Sequence, residues 1–91
     1  MLVEALGSAY FADAHLPGAV NIPPGHVERL APLLLPHRQQ PVVVYGSSTG
    51  GSSRIVARRL LAIGYPRVRI YEGGKEDWAE HGLPVVRPAD P

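Results

Sequence analysis

The sequence predicts a single α/β domain on a central, mainly parallel sheet flanked by helices, and three observations carry that expectation. Strand-like apolar segments alternate with helical ones along the chain, which predicts parallel strands joined by right-handed crossovers. One segment, Val42-Val43-Val44-Tyr45, is apolar throughout, as suits a strand covered on both faces. The length, 91 residues, suffices for one modest core but not for two, so residues 1–91 are read as one domain.

Each element has a local reason. Leu2-Val3-Glu4-Ala5 starts strand-like at the first residues. Ser8 is placed to cap a short helix over Ala9 to Ala14, and the turn HLPG leads into a short strand around Ala19 to Ile22. Residues 26–35 carry Val27, Leu30, Leu33 and Leu34 at helical spacing, with Pro32 limiting or kinking that helix. Pro41 opens the Val42–Tyr45 strand. Residues 53–63 form the clearest helix, with Val56, Leu60 and Ile63 on one stripe, Arg58 and Arg59 largely opposite, and Gly64 as its stop. RVRIYEGG alternates as a strand, and KEDWAEHG is a short helix closed by Gly82.

Composition removes several function classes. A net charge of +1 gives no strong attraction to nucleic acid or to a membrane surface. The positive charge is mostly arginine, gathered at Arg54, Arg58, Arg59, Arg67 and Arg69, so a local basic face is compatible with the near-neutral total. With no cysteine in the chain, disulfides, cysteine-ligated metals and thiol chemistry are ruled out. The four histidines show no metal-ligand spacing, and no cofactor is expected. No apolar run reaches the ~20 residues that span a bilayer, and no signal-peptide pattern opens the chain. A cytoplasmic protein is the default expectation.

The stretch YGSSTGGSS, from Tyr45 to Ser53, joins the apolar strand to the best helix. In open α/β sheets, ligands bind beyond the carboxyl ends of the strands, where this loop lies. Gly46, Gly50 and Gly51 let the backbone turn N–H groups inward, while Ser47, Ser48, Thr49 and Ser52 add hydroxyl donors. Ser52 or Ser53 is placed to cap the helix, whose first turn has no acid to neutralise its positive end. Loop 46–52 therefore reads as a cradle for a small sulfate- or phosphate-like anion; the competing reading is a tight connection with a capped helix. A Walker-type loop is excluded because no Gly-Lys-Ser/Thr follows, and the glycine spacing is wrong for a dinucleotide fingerprint.

The wider pattern resembles the rhodanese-like domain family. LVEALGSAYFADAHLPGAVNIP is similar to its front half: a strand bearing an acid, a short helix, a His-Leu-Pro-Gly-Ala turn and an Asn-Ile-Pro strand end. PVVVYGSSTGGSSRIVARRLLAIGYPRVRIYEGGKEDWAEHGLPV is similar to its second half, from the strand entering the active loop through Gly-Tyr and Glu-Gly-Gly to a Trp followed by Gly-Leu-Pro. The resemblance implies a three-layer α/β sandwich. It also implies that a helix and strand which generally open the family's domain are absent here; either the sequence starts late, or their absence leaves a sheet edge open to a protein partner or a second copy. Members of the family move sulfane sulfur: a loop cysteine takes sulfur from a donor such as thiosulfate, holds it as a persulfide and passes it to cyanide or another thiophile.

Carried onto this chain, the nucleophile position is Gly46 when counted from Tyr45, or Ser47 when counted back from Gly64 and Ser53. Neither residue can hold sulfur, since glycine has no nucleophile and a serine hydroxyl has no reason to ionise near neutral pH. The resemblance thus implies a sulfurtransferase scaffold inactive as written. Three readings follow: a non-catalytic recognition or regulatory module, a sulfurtransferase whose cysteine has been removed or lost, and, last, the phosphatase chemistry of relatives that also need a loop cysteine. Two further departures stand out. Glu4 takes the place of an acid that an arginine often follows two residues later, but Leu6 stands in the arginine's place. The family's loop arginine falls at Gly51 or Ser52, with Arg54 near enough to curl back as an accessory cation. His15 reads as a structural histidine bonded to backbone, and His26, His37 and His81 as surface residues. Glu72-Gly73-Gly74 reads as a strand end whose glycines permit close backbone approach to the loop, and Trp78 as the anchor of the last helix.

Overall fold

A computed structural model describes residues 1–88; the end of the 1–91 domain expected from the sequence lies outside the described residues. Its sheet has four strands, all parallel: β1 (Leu2–Glu4), β2 (Val20–Asn21), β3 (Val42–Tyr45) and β4 (Val68–Tyr71), in the order β2-β1-β3-β4. The helices are α1 (Ser8–Asp13), α2 (Val27–Leu34), α3 (Ser52–Ala62) and α4 (Gly74–Glu80), with a 3-10 turn, Pro24–His26, leading into α2. The α/β class and the parallel sheet flanked by helices agree with the sequence reading.

The β3 segment is apolar throughout because it lies inside the sheet, paired with β1 on one side and β4 on the other. Its Val42, Val44 and Tyr45 are buried. Val42 and Val44 join Val3, Ile22, Val27, Ala31, Leu35, Val56, Leu60 and Tyr65 in the core that α2 and α3 close, whereas Tyr45 lies on the other face of the sheet with Glu4. Burying an aliphatic side chain of this size contributes about 1.5–3 kcal/mol. Tyr65 also places its hydroxyl 3.1 and 2.6 Å from the carbonyls of Ala31 and Leu35, sharing its proton between acceptors at the end of α2.

Two local expectations are corrected. Helix α1 begins at Ser8 with Gly7 as its N-cap, and no side chain caps it. Helix α2 runs through Pro32, and its buried stripe is Val27, Leu30, Ala31 and Leu34, whereas Leu33 is 72% exposed. Leu33 lies roughly 100° round the helix from that stripe, too far to share its contact. The first strand is interior, and the sheet's edges are β2 and β4. At the β4 edge Arg69 is exposed, while Val68 and Ile70 lean against the core.

Candidate functional site

Strand β3 delivers buried Gly46 to the carboxyl end of the sheet, and a turn follows in which the Gly50 amide donates to the Ser47 carbonyl at 3.4 Å. Helix α3 then starts at Ser52. Its N-cap is Gly51, not Ser52 or Ser53: no side chain caps the helix, and its first turn holds no acid. Ser53 is buried. Ser52 turns its hydroxyl into the protein, where the oxygen is buried without a hydrogen-bond partner. A Cβ built on Gly46 would lie 2.8 Å from that hydroxyl and 3.8 Å from the amide nitrogen of Ser53. The side-chain direction of position 46 therefore runs into the start of α3, and the Ser52 hydroxyl fills the space ahead of it.

Ser47 points elsewhere. Its hydroxyl lies 3.3 Å from the Thr49 hydroxyl, accepts from the Thr49 amide at 3.4 Å and donates to Glu76 at 3.0 Å. The same Glu76 oxygen accepts from the Ser48 amide at 2.8 Å and the Ser48 hydroxyl at 2.6 Å. These bonds, the Ser48 hydroxyl foremost, hold the Glu76 carboxyl below the usual carboxylate range, because they favour its charged form. The positive end that looked unneutralised within α3 thus has a carboxylate over its loop, supplied by α4.

Helix α4 reaches the loop because Gly74 lets the backbone come very close. Gly74 has a φ of +63°, and a Cβ there would lie 2.3 Å from the Gly46 carbonyl oxygen, a conformation and a contact that only glycine meets without strain. The next amide, Lys75, donates to that carbonyl at 3.0 Å. The close approach read from Glu72-Gly73-Gly74 is present at Gly74.

Beneath the loop lies a second polar cluster. Glu4 is fully buried, and its Oε1 accepts from the Tyr45 hydroxyl at 2.9 Å and pairs with the Lys75 ammonium at 3.0 Å. The Tyr45 oxygen in turn accepts from the Leu16 amide at 3.1 Å, and Lys75 also donates to the Tyr10 carbonyl at 2.9 Å. Burial, with the nearby Glu4 charge adding to it, pushes the Tyr45 hydroxyl well above its ordinary range. Glu4 Oε2 has no hydrogen-bond partner. Leu6, in the arginine's place, lines an open depression of about 420 Å³ with Tyr10, Asp13, Ser47, Glu76 and Lys75, the cation paired with Glu4.

Arg54, expected to curl back over the loop, instead pairs with Glu72 at 3.2 Å, with both side chains mostly exposed. His15 stacks on Phe11 and bonds its carbonyl at 2.9 Å, a structural role. His26 contacts Arg29, His81 contacts Asp77, and half-buried Trp78 donates to the Pro84 carbonyl at 2.8 Å. No metal-binding cluster occurs among the described residues. Sequence reasoning missed Lys75 and Glu76. The available signal was their position directly after a Gly-Gly expected to touch the loop.

The family model of the rhodanese-like domain matches residues 2–81. The chain belongs to the rhodanese-like domain family. This rhodanese-like chain is 34% identical to a sulfurtransferase of Allochromatium vinosum over 90 residues, which cover 97% of the chain and 79% of that protein. It is 32% identical to the thiosulfate sulfurtransferase YnjE of Escherichia coli, covering 99% of the chain but 24% of that protein. Among solved structures, a thiosulfate sulfurtransferase from Pseudomonas aeruginosa superposes with a TM-score of 0.86 at 30% identity, over 97% of this chain and 17% of that one. A rhodanese with anions from E. coli superposes at 0.80 with 26% identity over 96% of each chain. The rhodanese-like chain thus spans a small part of two of these relatives and most of the other two. It differs from what the family's chemistry requires in having no cysteine. No helix among the described residues is long and apolar enough to cross a membrane.

Proposed function

We propose that this rhodanese-like chain does not transfer sulfur and uses loop 46–52 to bind a small oxyanion in the cytoplasm. The carrying observation is at Gly46. Its side-chain direction faces the start of α3, where a family thiolate would be stabilised by amides, yet the position holds no side chain and the Ser52 hydroxyl lies ahead of it. We therefore assign Gly46, rather than Ser47, to the nucleophile position. Sulfur transfer needs a thiolate that attacks the outer sulfur of thiosulfate and forms an S–S bond as sulfite departs with the electron pair. It then needs that sulfur to leave to cyanide as thiocyanate, returning the thiolate. A hydroxyl supports neither step, because it is not ionised near neutral pH. Anion binding is supported by the uncapped first turn of α3, by the hydroxyls of Ser47, Ser48 and Thr49, and by the E. coli relative with anions.

The second reading, a sulfurtransferase scaffold lacking only its nucleophile, is favoured by the sulfurtransferase relatives. Thiocyanate formation from thiosulfate and cyanide separates the two. The parent is expected to be silent, and turnover by it would overturn the proposal. Gly46→Cys, alone and with Ser52→Ala to clear the space ahead of it, tests the scaffold, with Ser47→Cys as the comparison. Turnover by a position-46 variant alone supports the register and the second reading. Silence of all variants leaves a binding module. The open β4 edge is where such a module would pair with a protein partner or a second copy.

A further inference from the structure

We infer that Glu76 is an internal occupant of the loop, a latch that an incoming oxyanion must displace. The inference rests on the anion-cradle reading above and adds its regulation. Three donors that an oxyanion over residues 47–48 would use, the Ser48 amide and the hydroxyls of Ser48 and Ser47, already converge on one oxygen of Glu76. This geometry differs from ordinary capping, because the acid belongs neither to the loop nor to α3. It arrives from α4, whose first residues are fixed to the loop by the Gly74 approach and the Lys75 amide.

The latch is built to open. The Glu76 residue is exposed, so its carboxylate passes into water without a large desolvation change, and its backbone stays clamped while the side chain swings. Its other oxygen is not used by the loop. The charge it presents also opposes a second anion until it leaves. Loop and latch together make a site that is preformed but self-filled, whose affinity for an anion is reduced by competition from within the chain.

The test is a calorimetric titration of the chain with sodium sulfate and with thiosulfate, beside Glu76→Ala and Glu76→Gln, with the Ser48 amide followed by NMR. Glu76→Gln keeps the size and one accepting oxygen but removes the charge, so it guards against a collapsed loop in Glu76→Ala. Both variants are expected to bind sulfate about tenfold more tightly than the parent, the scale of a typical coupling between two ligands, with the Ser48 amide shifted on saturation. Equal affinities in parent and variants would overturn the latch while leaving the cradle standing. Weaker binding in both variants would also overturn it, making Glu76 a brace for the loop rather than its occupant. No binding by any of the three would overturn the cradle, and the latch with it.

Discussion

Two carboxylates stand near the end of β3, and they behave as opposites. Glu4 is fully buried, bonded by Tyr45 and paired with Lys75. Glu76 is exposed and held only by loop serines. A charge removed from water is costly unless its partners stay in place, so the Glu4 cluster must be permanent. A charge that keeps its access to water loses little when its partners change, so the Glu76 contact is exchangeable. Adjacent residues of one helix, Lys75 and Glu76, thus take part in a structural joint and a removable one.

The contrast is broken most severely at Lys75. Lys75→Met leaves the buried Glu4 carboxylate without its cation and should destabilise the fold by about 3–5 kcal/mol, read from urea unfolding; a loss below 1 kcal/mol would show that the pair is not what keeps Glu4 buried. Gly74→Ala comes next, since it places a Cβ on the Gly46 carbonyl at positive φ. A cost of about 1–3 kcal/mol is expected from the backbone alone, together with shifted Ser48 and Lys75 amide resonances as the latch is pushed from the loop.

Tyr45→Phe removes the hydroxyl between Glu4 and the Leu16 amide and should cost about 1–3 kcal/mol. It also has a pH signature. The folded state holds the Tyr45 proton more tightly than the unfolded chain. The resulting stability is complete below the ordinary tyrosine range and is lost as pH rises above about 10. The parent should lose stability steeply in that alkaline limb and Tyr45→Phe more gently, and parallel limbs would refute the assignment. The smallest effect is expected for Arg54→Ala. It breaks an exposed pair with Glu72 and should change stability by less than about 1 kcal/mol, with sulfate binding unaltered if the guanidinium takes no part in the loop.

Much of this molecule was legible because its periodicities are local. The β3 run, the α3 stripe and the stop at Gly64, whose φ is +99°, all follow from neighbours in sequence. Capping was less legible: serine is the usual N-cap, but Gly51 takes that place in α3 and Ser52 spends its hydroxyl inside the protein. Leu33 misled because apolar spacing in a short helix admits more than one stripe. The site was half visible. The loop and its glycines could be read, whereas the cation paired with Glu4 and the carboxylate that accepts from the serines come from α4, and no spacing rule states which side chain returns across a sheet.

The unpartnered Ser52 hydroxyl has a consequence in evolutionary time. It breaks no hydrogen bond when it turns away, and a turn of χ1 frees the space ahead of position 46. Glycine and cysteine codons can differ at a single base. A thiol at the mouth of α3 therefore lies one base change and one rotamer away.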